Sequence, residues 1–125
     1  MIRIATFSSA MPRYVILEHD HPRWHWDLML EAGDALRTWR LEAWPEDGLV
    51  VGAEPIGDHR IAYLDYEGPV SGNRGRVQRR DEGTYTGQVA VPISVTVSGR
   101  CLKGKITITA DSAGAWWFRY VSETS

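Results

Sequence analysis

The stretch RYVILEHDHPRWHWDLMLE, residues 13–31, decides the fold. Apolar residues alternate with polar ones over residues 13–19 and again over residues 24–31, which is the pattern of half-buried β-strands. Pro22 lies between the two runs and favours a turn there. The sequence therefore predicts an antiparallel hairpin.

The second predicted strand has two different faces, because side chains two residues apart on a strand point to the same side. One face is apolar and carries Trp24, Trp26, Leu28 and Leu30. The other face carries His25, Asp27, Met29 and Glu31. We expect the apolar face to pack in a core and the other face to be available for chemistry.

Short alternating runs continue at residues 36–41 and 60–68 and through the C-terminal half, whereas PEDG and VVGAEPIGD, within residues 45–58, are predicted to be loop. The 12 glycines and 6 prolines leave no run of helical period. We predict an all-β fold, a compact single-domain β-barrel of about seven to eight mostly antiparallel strands. A barrel is preferred to a sandwich because it leaves few free strand edges. Residues 11–125 are the predicted domain, and residues 1–10 a flexible N-terminal extension.

The composition excludes several classes of protein. A chain of 125 residues corresponds to about one domain. The net charge of −2 gives no overall basic footprint, so any contact with nucleic acid must be local. One cysteine allows no internal disulfide bond. No apolar run is long enough for a signal peptide or a membrane span, so we expect a cytoplasmic protein without a membrane partner.

Three residues around the predicted turn can hold a metal ion. His25 and Asp27 project from the same strand face, and His19 on the preceding strand can face the same ion across the hairpin. Two imidazoles and one carboxylate suit manganese, zinc or iron and leave positions open for water or substrate. His21, which neighbours Pro22 in the turn, is not expected to be a ligand. The alternative is a polar hairpin tip capped by tryptophans.

Four segments together resemble a known family. LEHDHPRWHWDLMLE, LRTW, DHRIAYLDYEG and GRVQRRDEGTY are similar, in this order, to the 3′-phosphoesterase domain of bacterial DNA ligase D and to its short stand-alone relatives. The resemblance covers roughly residues 12–87. It implies a β-barrel with a manganese-dependent active site that removes a 3′-ribonucleoside or a 3′-phosphate from DNA 3′ ends.

The resemblance also implies roles for individual residues. The family's metal ligands fall on the three residues that strand parity selects. Its phosphate-contacting histidine falls on His59, a tyrosine on Tyr63 and a glutamate on Glu67. One departure is important: Met29 stands where the family has an arginine that holds the scissile phosphate, and methionine donates no hydrogen bond and carries no charge. The lysine of the family's VPKG-like loop is also missing.

An arginine cluster can compensate for this loss. Arg74, Arg76, Arg79 and Arg80 lie within seven residues, and the first three are predicted to bind phosphate or nucleic acid. The alternative is a solvated strand, because adjacent arginines point to opposite faces.

Two hypotheses about function follow. The first is an enzyme that uses Mn²⁺, or another divalent transition metal such as Zn²⁺, to process DNA 3′ ends for a separately encoded ligase or polymerase. The second is a non-catalytic module that binds a metal ion and a nucleic-acid end or another phosphorylated ligand, and serves as an adaptor for repair proteins.

Overall fold

The computed structural model describes residues 11–123, which form one antiparallel sheet and a short 3₁₀-helix over Ile61–Leu64. The predicted extension, residues 1–10, lies outside the described residues. The strands of the described part are β1 (Arg13–His19), β2 (His25–Ala32), β3 (Ala35–Leu41), β4 (Val50–Arg60), β5 (Gly68–Pro69), β6 (Arg76–Gln88), β7 (Ile93–Gly99), β8 (Lys103–Ala110) and β9 (Trp116–Ser122). No helix among residues 11–123 is long and apolar enough to cross a membrane.

The sheet closes into a barrel. Its strand order is β1-β2-β3-β4-β9-β8-β7-β6, and β1 pairs with β6 to complete the ring. The two-residue strand β5 is added to the edge of β6 outside the ring. The predicted all-β barrel is therefore confirmed, and closure removes the free edges that an open sheet would expose.

The region between β3 and β6 differs from the sequence-based expectation. Residues 50–58 were expected to be loop, but they belong to β4, which pairs with both β3 and β9. The strand predicted over residues 60–68 is wrong, because the chain leaves the sheet at Ile61 in the 3₁₀-helix. Pairing with β9 over residues 50–52, and with β3 over residues 53–56 and 59–60, holds β4 in the sheet despite the low strand propensity of its glycine, proline and aspartate residues.

The apolar residues form two separate clusters. The larger one fills the barrel and includes Tyr14, Ile16, Leu28, Leu30, Trp39 and Phe118. The smaller one lies on the outer wall and consists of Val15, Leu17, Met29, Leu36, Leu64 and Val77. Ile61, Tyr63 and Val70, from the segment after β4, pack on the smaller cluster. The outer face of β1, β2 and β3 is thus partly covered by the segment that carries the 3₁₀-helix.

A buried carboxylate fixes the joint between β1, β6 and the β7–β8 turn. Asp81 has no exposed surface and accepts a hydrogen bond of 2.5 Å from the Tyr14 hydroxyl. It also accepts hydrogen bonds from the backbone N–H groups of Cys101 and Leu102. Burial and the bond to Asp81 raise the pKa of Tyr14 far above its ordinary value, so this phenol is a permanent donor.

A two-residue turn sets the register between β2 and β3. Gly33 has φ +67°, and Ala32 pairs with Ala35 across the turn. A positive φ at the first central position is the requirement of a type II′ hairpin turn, which glycine meets without steric cost. The same register, continued along the two strands, places Asp27 opposite Arg40.

Candidate metal centre

Three side chains converge on the outer wall of the barrel. His19, at the end of β1, pairs across the ladder with His25, at the start of β2, and Asp27 follows on the same face as His25. Ligand atoms of these three residues all lie within 4.8 Å of one another. The hairpin thus brings together the three residues that the sequence predicted as metal ligands.

Two backbone carbonyls fix the tautomers of the histidines. The Nδ1–H of His25 donates to the carbonyl oxygen of Arg23 at 3.0 Å, and the Nε2–H of His19 donates to the carbonyl oxygen of Arg74 at 2.8 Å. A carbonyl can only accept, so in the neutral imidazoles, the form that binds metal, Nε2 of His25 and Nδ1 of His19 carry the lone pairs. Such carbonyl contacts orient metal-binding imidazoles and increase their basicity.

Two buried polar atoms of the group have no hydrogen-bond partner among the described residues. Nε2 of His25 and Oδ1 of Asp27 make no hydrogen bond, although they are only 3.3 Å apart. Both residues are buried, with relative exposures of 5% and 3%. A buried lone pair and a buried carboxylate oxygen without partners are costly, and a shared cation would satisfy both. The residues therefore fit a divalent ion.

His21 and Trp24 do not belong to this group or to the core. The ring of His21 lies 6.4 Å from that of His19, in the turn before β2. Trp24 is 63% exposed, so its predicted place in the core is wrong. β2 begins only at His25, and the alternation of faces does not extend into the preceding turn.

Met29 lies on the same face as the ligands but is not accessible. It is 1% exposed and packs in the outer apolar cluster with Val15, Leu17 and Leu36. The position at which the resemblance implies an arginine is therefore closed to solvent, and an apolar side chain fills it.

His59 and Tyr63 form a second group beyond this apolar cluster. Their rings are in an edge-to-face contact, with centroids 5.5 Å apart. The Nδ1–H of His59 donates to the Gly57 carbonyl oxygen, which leaves Nε2 with a free lone pair. Tyr63 belongs to the 3₁₀-helix and not to the strand that the sequence predicted.

His59 and the three predicted metal ligands lie in different rows of the sheet, where a row is a line of residues paired across adjacent strands. His59 is the cross-strand partner of Leu36, which in turn pairs with Glu31 of β2. Glu31 is four residues beyond Asp27 in β2, so the two rows are roughly 13 Å apart at about 3.3 Å per residue. The structure thus does not place the backbone of His59 beside the metal ligands.

Glu67 and most of the arginine cluster make contacts within the protein. The Glu67 carboxylate accepts a hydrogen bond of 2.8 Å from the Arg79 backbone N–H, which attaches the segment before β5 to β6. The side chain of Arg74 donates to Ser71, and that of Arg80 donates to Glu18. Arg76 is exposed on β6.

Arg79 is the member of the cluster that lies closest in register to the metal ligands. It pairs with Leu17 of β1, and Leu17 pairs with Asp27. Its Nε is 3.4 Å from Glu82, while its Nη1 is buried without a hydrogen-bond partner in the described part of the chain.

Arg40 is a further cation at the site, and the sequence interpretation missed it. It is the cross-strand partner of Asp27, and its Nε is buried without a hydrogen-bond partner among residues 11–123. A signal was present in the sequence: a two-residue turn at Gly33 and Asp34 pairs residue 27 with residue 40. The positive charge stands beside the metal ligands, one strand away.

Comparison with known proteins gives two matches. A sequence model of the DNA ligase D 3′-phosphoesterase domain matches residues 17–113. The multifunctional non-homologous end joining protein LigD of Pseudomonas aeruginosa is 30% identical over 84 residues, which are 63% of this chain and 10% of that protein. The chain thus matches a small part of a much longer relative. The range of the first match includes the three predicted metal ligands, His59 and Tyr63.

Proposed function

We propose a function from one premise: the chain belongs to the DNA ligase D 3′-phosphoesterase domain family, whose model covers residues 17–113. The proposed function is metal-dependent phosphoester hydrolysis at DNA 3′ ends, with removal of a 3′-ribonucleoside or a 3′-phosphate. The observation that carries it is the convergence of His19, His25 and Asp27, with two buried ligand atoms unpartnered.

In this proposal the three residues hold one divalent ion, Mn²⁺ or another transition metal such as Zn²⁺. An ion bound there would polarise a phosphoryl oxygen and offset the charge that develops on it. The protein prepares the site through the carbonyl oxygens of Arg23 and Arg74, which hold the two imidazoles with their lone pairs toward the carboxylate. Because the barrel wall carries all three ligands on two adjacent strands, little rearrangement is needed to bind the ion.

His59 is proposed as the residue that contacts the phosphate or protonates the leaving oxygen. Its Nε2 is free, and its ring is held by the Gly57 carbonyl and by Tyr63. A proton donor of this kind contributes typically 10²–10⁴-fold to a rate. Because its backbone row is about 13 Å from that of Asp27, this role requires the His59 side chain to extend along the outer wall to within hydrogen-bond reach of the substrate.

Glu67 is assigned a positioning role within the proposal, because its carboxylate is engaged with the backbone of β6. Arg79, whose Nη1 has no hydrogen-bond partner in the described part of the chain, is the member of the arginine cluster best suited to a phosphate. Arg74 and Arg76 are proposed to contact the DNA backbone farther from the reacting group. A separately encoded ligase or polymerase in the cytoplasm would use the resulting 3′-hydroxyl.

One observation favours a second candidate function. Met29, which stands where the resemblance implies a phosphate-binding arginine, is buried in an apolar cluster. Charge stabilisation of the transition state is the main contribution that proteins make to phosphoryl transfer. A protein that lost it could retain the metal ion and the DNA end without turnover, and serve as an adaptor for repair proteins.

A turnover assay separates the two functions. The purified protein is incubated with a 3′-phosphate primer and Mn²⁺, and release of phosphate is measured. The enzyme hypothesis expects turnover that is lost with EDTA and in His25→Ala, and retained in the control His21→Ala. If the parent protein binds the ion and the primer but releases no phosphate, the adaptor function is supported and the enzyme hypothesis is rejected.

A further inference from the structure

A groove begins beside His25, one of the three predicted metal ligands, and follows the outer wall toward β9. Two adjoining depressions share Arg23, Arg40 and Glu42 and therefore form one channel. One end includes His25, and the other end is lined by Trp116 and Trp117. A ligand bound along this channel would have one end beside His25.

Exposed aromatic rings stand at both ends of the groove. Trp24 and Trp117 are 63% and 41% exposed, and they are the tryptophans of the described chain with the most exposed surface. Trp24 lines the end near His25, and Trp117 lines the other end. Exposed indole rings offer faces on which unpaired bases can stack.

The ring of Trp117 is held in place before any ligand arrives. Its Nε1–H donates to Asp111 at 2.9 Å. This bond and those from nearby backbone N–H groups keep the pKa of the Asp111 carboxyl below its usual range, so the acceptor stays ionised at neutral pH. A fixed ring loses little conformational entropy on binding.

Two arginines lie between the aromatic ends. Arg40 has a buried Nε without a hydrogen-bond partner in the described chain and stands opposite Asp27, while Arg23 lies in the exposed turn before β2. Glu42 and Glu54 also line the groove, so its formal charges balance. Balanced charge excludes a general polyanion site, and binding must come from stacking together with local phosphate contacts.

We propose that this groove binds the last nucleotides of a single-stranded DNA 3′ end, with bases stacked on Trp24 and Trp117 and a backbone phosphate on Arg40. The inference rests on the proposed function, because it assigns the path by which the strand reaches the metal ligands. A single strand is required, since the bases of a duplex are already stacked on one another and cannot offer their faces to indole rings.

The test measures binding without turnover. A fluorescently labelled oligonucleotide of about eight thymidines with a 3′-hydroxyl, a length within the usual site size for single strands, is titrated with the full chain in EDTA. Trp24→Ala and Trp117→Ala should each weaken binding about tenfold, and Trp117→Phe should restore most of the loss. Both tryptophans are exposed, so the variants should melt close to the parent, and the Trp117 variants should lose only the small contribution of the exposed bond to Asp111.

The proposed contact of Arg40 with a phosphate is tested separately, by the salt dependence of the binding constant. Arg40→Gln should reduce the slope of log K against log salt by about 0.7, the value for one phosphate contact on a single strand. The matched control is Arg100→Gln, since Arg100 is 66% exposed near the β7–β8 turn and does not line the groove. That variant should leave both the affinity and the slope unchanged.

Several results would overturn the inference. One is an unchanged affinity for the oligonucleotide in both tryptophan variants. Another is a loss of affinity confined to Arg76→Gln, which would place the DNA along β6. Equal, groove-dependent binding of a blunt duplex would reject the single-stranded ligand.

The failure of the inference and that of the proposed function are distinguishable. Turnover in the parent with unchanged KM in Trp117→Ala and Arg40→Gln rejects the groove and leaves the enzyme function intact. Groove-dependent binding without turnover in the parent supports the groove and rejects the enzyme function.

Discussion

Asp27 of β2 and Arg40 of β3 are direct cross-strand partners, and each has a buried side-chain atom without a hydrogen-bond partner in the described chain. Adjacent strands are about 4.8 Å apart, so the charges of the carboxylate and the guanidinium are close enough to interact. A carboxylate and a guanidinium so placed would ordinarily bond to each other. The atoms without hydrogen-bond partners support the proposed cation on Asp27 and the proposed phosphate contact of Arg40.

Removal of the Asp27 carboxylate should lower metal affinity without lowering the melting temperature of the metal-free protein. Asp27→Asn removes the anionic ligand, so we expect the affinity for Mn²⁺ or Zn²⁺ to fall at least a hundredfold. Asp27 is buried, and its Oδ1 is unpartnered without an ion, so the EDTA-treated variant should unfold at the same or a higher temperature than the EDTA-treated parent. Metal titration and thermal melting with and without EDTA measure the two effects. Equal metal stoichiometry and affinity in the variant and the parent would reject the site.

The histidines of the turn should differ in importance. His21→Ala should keep metal affinity within a few-fold of the parent, because the ring of His21 is outside the group of three ligands. His25→Ala should lower it strongly, because Nε2 of His25 is a buried lone pair directed at Asp27. Isothermal titration with Zn²⁺ compares the two variants directly. Equal losses in both would mean that the wrong histidine is assigned.

The loop that orients His19 offers a test of the carbonyl contacts. Gly75 has φ +75°, and a Cβ there would collide with Asp20 and His21. Gly75→Ala should therefore push the Arg74 carbonyl away from His19 and weaken metal binding about 10–100-fold, as is typical when the partner of a metal ligand is lost.

A matched control separates this effect from backbone strain. Gly48 has φ +83° with no atom near its added Cβ, so Gly48→Ala brings comparable strain away from the site. Metal affinity should fall in Gly75→Ala and stay near the parent value in Gly48→Ala. An equal loss in both variants would attribute the effect to strain, and the role of the Arg74 carbonyl would be rejected.

The parts of this structure that are predictable from sequence are those set by short-range geometry. Strand parity and one turn suffice to place His19, His25 and Asp27 together, and the hairpin that holds them was predicted. The strand β4 was not, because its hydrogen bonds come from β3 and β9, which are distant along the chain. The expectation that Trp24 packs in the core is wrong because the alternation of side-chain directions applies only inside a strand, and Trp24 precedes β2.

Contacts between distant segments are a second limit. The buried carboxylate of Asp81 accepts hydrogen bonds from Tyr14 and from the β7–β8 turn. These residues are distant along the chain, so no local sequence pattern predicts the bonds. The separation of His59 from the metal ligands likewise depends on the register of β4 against β3, which includes an irregularity near Leu36. Arg40 is different, because the short turn at Gly33 determines its partner.

The last prediction concerns Met29 and the missing arginine. Met29→Arg should raise the rate of 3′-phosphate removal, since one preorganised donor is worth on the order of 10²–10³ and an engineered one somewhat less. Met29 is 1% exposed in an apolar cluster, so the variant should also melt at a lower temperature. Its aliphatic stem can remain in the cluster while the guanidinium extends toward Asp27 on the same face.

Combining Met29→Arg with Arg40→Gln tests whether Arg40 holds the phosphate in the parent protein. If Arg40 has taken over this role, Arg40→Gln should slow turnover, and Met29→Arg should restore more of the rate in that background than it adds to the parent. The gain should require metal and should vanish with His59→Ala if both residues hold the same phosphate. Kinetics of the single and double variants on a 3′-phosphate primer measure the coupling. Rates that respond to Arg79→Gln but not to Arg40→Gln would move the phosphate contact from β3 to β6.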